Sequence, residues 1–149
     1  MLKGQSLRFT TSYAKKKVSG RIGHSVTFEW KFSGGVDTVT WGLANEVGTY
    51  IDRVFVSLDG RGVDVVPSGS VPVEYKGRVN GTRSGDSSSG LASFTLYDLT
   101  KDDERLYGCF LKPNNPNLQE IPDFVQLVVV GMYLFYRTLD SNARTRYDL

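Results

Sequence analysis

The sequence holds one cysteine and one histidine in 149 residues. A lone histidine, His24, excludes any triad, metal cage or proton relay that needs two imidazoles from one chain. A lone cysteine, Cys109, excludes an internal disulfide and every zinc site built on two or four thiolates. No metal or other cofactor is expected. The phosphate-cradling patterns GxxxxGK[ST] and GxGxxG are absent as well. Carboxylates and tyrosines remain for acid–base work, but nothing in their spacing calls for an enzyme. Long apolar runs are also missing. No stretch approaches the roughly 20 residues that a spanning helix needs, so no membrane span is expected within the chain. The longest candidate, Phe124 to Tyr136, is broken by Gln126 and Gly131 and reads as a buried strand. The first residues lack the apolar core of a secretory signal, and their charges come late, at Lys15, Lys16 and Lys17. Nor does one sign of charge dominate: 18 Lys and Arg stand against 16 Asp and Glu, a net charge of +2. Neither nucleic acid nor an anionic membrane is expected as the main partner.

What is present is ordinary globular composition, with 40% hydrophobic and 23% charged residues, enough for one core. Sixteen glycines and 12% aromatic residues point to many turns and ring-bearing strands. The hydrophobic pattern has period two. Val26, Phe28 and Trp30 alternate with Thr27, Glu29 and Lys31. Val39 and Trp41 alternate with Thr38 and Thr40 after the Ser33-Gly34-Gly35 break. Ile51 to Leu58 is rich in β-branched and aromatic residues and ends at the turn signal Asp59-Gly60. Val63 to Val66 predicts a short strand stopped by Pro67. Val71 to Val79 predicts an edge strand, given Pro72. Asn80 to Gly90 reads as a polar loop. Leu91 to Leu96, Leu106 to Leu111 and Phe124 to Val130 are further strands, the last two separated by the Pro/Asn-rich stretch Pro113 to Pro122. One helical turn is expected near Thr100 to Glu104, with Thr and Asp as caps. Strands recurring about every ten residues predict an antiparallel sandwich or barrel.

In this setting the run Asp103-Glu104-Arg105-Leu106-Tyr107-Gly108-Cys109 resembles the D-x-x-x-Y-x-C run of immunoglobulin domains of the variable type. Tyr107 matches the tyrosine-corner residue of strand F. Ala92 to Leu96 with Leu99 resembles strand E, Trp41 the buried strand-C tryptophan, and Gly23 to Glu29 strand B. Lys76-Gly77-Arg78-Val79 resembles strand D, and the resemblance implies that Arg78 pairs with Asp103. Phe124 to Val130 takes the place of strand G. The gaps from Trp30 and Trp41 to Cys109 leave room for strands C′ and C″, assigned to residues 51–58 and 63–66. The resemblance covers residues 18–131 and implies an all-β V-type sandwich. Residues 1–17 read as an N-terminal extension or first strand, and 132–149 as an extra strand or linker with a loose, mildly basic tail.

The departure is at strand B, where the cysteine position holds Trp30. Losing that inter-sheet bridge costs about 2 to 5 kcal/mol. A buried indole offsets part of this, about 3 kcal/mol, by filling the space with apolar area. Cys109 then reads as a small buried hydrophobe between the sheets.

Parity assigns the other faces. With Tyr107 and Cys109 inward, Phe110 and Lys112 face outward. Gln126 outward carries Phe124 and Val128 with it. Trp41 inward places Thr38, Thr40 and Gly42 outward, and strand C′ adds Phe55 or Val54. Phe110, Phe124 and Val128, rimmed by Lys112, Gln126 and Thr40, form an apolar patch expected to bind a protein. The resemblance implies pairing through this G-F-C-C′ face, with another copy of the chain or with a different protein. It implies a non-enzymatic recognition or adhesion domain of an invertebrate-type cell-surface receptor, outside the cell, whose parent is membrane-anchored. Asn80-Gly81-Thr82 is then a glycosylation sequon. Two other classes stay open. A sugar-binding sandwich needs a row of exposed aromatics, whereas both tryptophans read as core. An intracellular structural immunoglobulin domain suits the missing signal and disulfide, but not the V-type spacing or the sequon.

Overall fold

Successive side chains of a strand point to opposite surfaces, and in this chain every second one finds a core. The computed structural model describes residues 6–67, 69–86 and 88–131. The readings of residues 132–149 and of the first five residues lie outside the described part. Among the described residues the strands are β1 (Arg8–Phe9), β2 (Lys17–Arg21), β3 (Val26–Ser33), β4 (Val36–Ala44), β5 (Ile51–Leu58), β6 (Val79–Gly85), β7 (Ser89–Leu96), β8 (Leu106–Pro113) and β9 (Ile121–Val130). They form two sheets, ordered β1-β3-β7-β6 and β2-β9-β8-β4-β5. This is the V-type immunoglobulin sandwich, with strands A-B-E-D on one side and A′-G-F-C-C′ on the other. All pairings are antiparallel except β2 with β9, which is parallel. The chain changes sheet between β1 and β2.

The core fits large rings against small neighbours. Trp30 stands opposite Ala92 and Phe32 opposite Gly90 on β7. A Cβ at Gly90 would fall 2.3 Å from the Phe32 ring. Trp41 stacks on Phe94, and Phe55 packs on Tyr75 at 4.5 Å between centroids. At one end, Tyr107 closes a tyrosine corner by donating from its hydroxyl to the Asp103 carbonyl at 2.7 Å. Asp103 sits in the 3-10 turn Lys101–Asp103 and pairs with Arg78. Arg78 also donates to the carbonyls of Glu74, Tyr97 and Asp98. One part-buried guanidinium–carboxylate pair thereby ties the β6 and β7 ends to the turn before β8.

Three expectations are corrected. Residues 63–66 do not form strand C″. Only an isolated bridge joins Leu58 to Asp64. The Asp64 carboxylate accepts from Ser57 N and Val66 N, so a side chain takes the place of a strand partner. Val63 and Val65 are exposed, without a surface to bury against. The second correction concerns strand D. Val73–Tyr75 is a 3-10 turn, and the strand lies later, at Val79–Gly85, inside the stretch that reads as a loop. Its inward positions are Val79, Gly81 and Arg83, so hydrophobic alternation is invisible in the sequence. Gly81 is where the Trp41 ring lies, 2.4 Å from a would-be Cβ. Arg83 donates to the carbonyls of Val36, Asp37 and Asp59. Third, Phe55 is a core residue and not part of the outer face. A bulge skips it between the Trp41–Val56 and Gly42–Val54 pairs, which turns both Phe55 and Val56 inward.

Candidate functional site: the outer face of the five-stranded sheet

The site begins with the group that holds the sheets together beneath it. Trp30 is fully buried, and its indole Nε1–H donates to Asp123 Oδ2 at 2.8 Å. Asp123 lies on β9 opposite Cys109 and faces the core, 6% exposed. The same carboxylate accepts from Ser12 Oγ, Tyr13 N and Ala14 N. Tyr13 stands edge-on to the Trp30 ring at 5.2 Å. The buried charge is therefore fully hydrogen-bonded, as it must be. It joins β3, β9 and the β1–β2 crossover. Ala14 and Lys15 in that crossover hold positive φ angles of 49° and 63°, which the four-donor cradle helps to keep in place. Cys109 is free and buried between the sheets. Burial, helped by the nearby Asp123 charge, pushes its thiol well above the usual range. Such a thiol is a packing element and a poor nucleophile. Trp41 Nε1, by contrast, is buried without a partner among the described residues. Sequence reasoning missed Asp123. Its signal was an aspartate at an inward parity position, one residue before the predicted start of strand G.

Across the outer face, the strands align the predicted residues in rows. Ser57, Thr40, Phe110 and Pro122 form one row. Thr40 Oγ1 and Ser57 Oγ are hydrogen-bonded at 2.8 Å. Val54, Gly42, Gly108 and Phe124 form the next. Gly42 and Gly108 give their side-chain space to neighbours, since a Cβ would lie 2.1 Å from the Arg53 carbonyl oxygen at the first and 3.0 Å from the Phe124 ring at the second. Phe124 and Ile51 fill this space. Phe110 meets Phe124 edge-to-face at 6.0 Å and 76°.

Phe124 therefore lies on the outer side but is only 5% exposed, which corrects its reading as a free surface ring. The accessible apolar part consists of half-buried Phe110 and of Val54, 36% exposed; Val47 and Tyr50 are exposed in the turn between β4 and β5. Lys112 is exposed beside Phe110, opposite Thr38. Val128 is not brought into the patch. It pairs with Ser19 on β2, beyond the start of β8, while Gln126 sits between, opposite Leu106 and Lys17. Lys15 reaches over the rim, its Nζ donating to the Val47 carbonyl at 2.9 Å. Asn80 lies on the opposite sheet. It pairs with Thr95 on the exposed side of edge strand β6. Among the described residues no group of three or more His, Cys, Asp or Glu is placed to hold a metal ion. No helix among them is long and apolar enough to cross a membrane.

No family model matches the sequence, and no curated protein matches it. Solved structures share the fold. Murine CRIg is similar with a TM-score of 0.59 at 16% identity, covering 83% of this chain and 98% of that one. A chain in a structure of T cell specificity and activation by the bacterial superantigen toxic shock syndrome toxin-1 gives a TM-score of 0.57 at 16% identity, again over 83% and 98%. Likeness at this identity establishes an immunoglobulin-like sandwich. Function has to come from the site.

Proposed function

We propose that the chain is a non-enzymatic recognition domain that works outside the cell and binds another protein through the outer face of β9, β8, β4 and β5. The observation that carries this reading is the aromatic pair Phe110–Phe124, in which Phe124 fills the space over Gly108 and Phe110 is the more accessible ring. The edge-to-face pair forms an aromatic centre, with Val54 in the row of Phe124 and with Lys112 and Thr40 beside Phe110. Desolvated aromatic centres with polar rims are how protein interfaces concentrate their energy. The sequon supports the extracellular setting. Asn80 projects from the other sheet, so a glycan there leaves the proposed face open.

The test is binding of the full chain to an array of cell-surface ectodomains, with sedimentation equilibrium for self-association. Phe110→Asp is expected to abolish any interaction found. Thr27→Lys, on the exposed side of the other sheet, is expected to leave it unchanged. The reverse pattern would remove the face from consideration. A second reading, a structural immunoglobulin domain in a reducing compartment, is favoured by one observation: the core is closed by Trp30 and Asp123 without a disulfide.

A further inference from the structure

An open sheet edge is a template on which another strand can pair. The edges among the described residues are β1 and β6 of one sheet and β2 and β5 of the other. Three of them carry a physical guard. β1 is only two residues long. β2 presents exposed Lys17 and Arg21 directly after Lys15 and Lys16, and charge on an edge discourages a second strand. β5 is occupied at Ser57, whose N–H donates to the Asp64 carboxylate and whose carbonyl accepts from Val65 N. Its other half exposes Asp52 and Arg53. β6 has none of these devices. It is seven residues long, without proline or lysine, and its ladder with β7 runs from Val79 to Gly85 without a bulge. Its one charged residue, Arg83, turns inward to the carbonyls of Val36, Asp37 and Asp59. Residues 63–66, expected as strand C″, bridge to β5 instead.

Backbone groups alternate sides along a strand. The Arg78 carbonyl accepts from Tyr97 N, and Asp86 N donates to the Ser89 carbonyl, so the even-numbered residues between them turn their backbone groups to β7. The N–H and C=O of Gly81 and Arg83 therefore point away from β7. Among the described residues no strand lies beyond them and no group bonds to them there. This edge is complementary to itself. A closed pair of identical edges is twofold and antiparallel. In the register that overlaps all of β6 with its copy, the axis passes at Thr82. Gly81 then stands opposite Arg83 of the copy, and their free backbone groups bond in pairs. On the exposed side Thr82 meets Thr82 and Asn80 meets Ser84, all uncharged. The acceptor triplet Asn80-Gly81-Thr82 lies on this one unguarded strand, with Asn80 and Thr82 both exposed. We infer that a glycan on Asn80 is the missing guard, and that without it β6 pairs edge to edge with a second copy of the chain. A second strand must come within about 4.8 Å of β6, and a branched sugar rooted two residues from the axis sweeps that space. The inference rests on the extracellular setting proposed above and is independent of the outer face of the five-stranded sheet.

The test secretes the full chain from a eukaryotic host as wild type, Asn80→Gln, Thr82→Ala and Thr82→Lys. Each variant loses the acceptor triplet and changes only an exposed side chain. Circular dichroism with a cooperative thermal transition checks folding, and mass spectrometry reads occupancy. Sedimentation equilibrium is run from low to high micromolar concentration. Glycosylated wild type is expected to leave β6 single and to show no pairing that survives Phe110→Asp. Asn80→Gln and Thr82→Ala are expected to form a dimer that persists when Phe110→Asp is added. Thr82→Lys, equally free of sugar, is expected to return to monomer, because two ammonium groups then face each other across the axis. An Asn80→Gln chain that stays monomeric would overturn the inference, as would a dimer that Thr82→Lys leaves intact. A dimer lost on Phe110→Asp would also overturn it, by placing self-pairing on the five-stranded sheet. An unoccupied Asn80 in secreted wild type would remove the guard, while the binding face stands or falls on its own Phe110→Asp test.

Discussion

Trp30 occupies the strand position from which an inter-sheet disulfide would start, and it can do so because Asp123 receives its N–H. The two tryptophans make an internal comparison. Both are fully buried, but among the described residues only Trp30 has a partner for Nε1. Replacing Trp41 by Phe removes an N–H that was already unsatisfied. Replacing Trp30 by Phe takes a charge-assisted bond from a buried carboxylate. Trp30→Phe should therefore destabilise by about 2 kcal/mol more than Trp41→Phe, read from urea unfolding midpoints. Equal losses would mean that the indole–carboxylate bond contributes nothing beyond packing. The buried acids set the response to alkali. Burial pushes up Cys109, and burial also raises Tyr107, Tyr75 and Tyr13, each with smaller contributions from its neighbours. The unfolded chain releases these protons first, near pH 8.5 for a thiol and about 10 for a phenol. Stability should be flat with respect to these groups below that range and fall as pH rises through it. Denaturant unfolding at neutral pH and near pH 10 checks the sign. At this scale Trp30, Trp41, Tyr107 and Cys109 were legible because each stands in a strong local pattern. Asp123 was not, because a buried carboxylate is explained only by donors far away in sequence, Trp30 and the Ser12–Ala14 crossover.

Among the elements, legibility followed the visibility of alternation. β3, β5, β7 and β9 alternate or run apolar and were readable. β6 was hidden because its inward positions are filled by glycine and arginine. Gly81 is inward because the Trp41 ring uses its volume, and Arg83 is inward because carbonyl oxygens surround its guanidinium. A tertiary partner, not a propensity, decides that Asn80–Gly85 is strand. Val63–Val66 erred the other way. β-branched residues promise a strand, but the Asp59 turn and the Asp64 carboxylate satisfy the edge of β5 first. The hidden strand gives the prediction for this scale. Gly81→Ala would place a methyl 2.4 Å from Trp41 Cζ3, both groups being held by their sheets. It should cost about 2 kcal/mol and lower the thermal midpoint, whereas Asn80→Gln next to it should change neither. If Gly81→Ala is neutral, β6 does not lie over Trp41 as described.

For the whole molecule, the sandwich places two unlike surfaces back to back, and that opposition makes the proposed function testable as a matter of shape. The sequence motifs from Trp41 to Cys109 carried the fold. Parity carried the outward direction of Phe110, Lys112 and Thr40, but not the depth of Phe124, because Gly108 leaves the space that its ring fills. A sugar chain can serve as a wedge on either side. On the four-stranded sheet Asn80 is exposed, so secretion from a eukaryotic host should yield a heavier glycoform that Asn80→Gln removes, with partner binding unaffected by either state. On the five-stranded sheet, Phe110→Asn with Lys112→Thr creates an acceptor triplet around Leu111, which faces the core and is unchanged. A glycan at that point stands in the middle of β8 and should abolish binding while the cooperative unfolding transition persists. Mass spectrometry confirms occupancy at each position, and the binding assay compares the two. Loss of binding from the Asn80 glycan, with tolerance of the one at position 110, would place the interface on the β1-β3-β7-β6 sheet and reverse the assignment of faces.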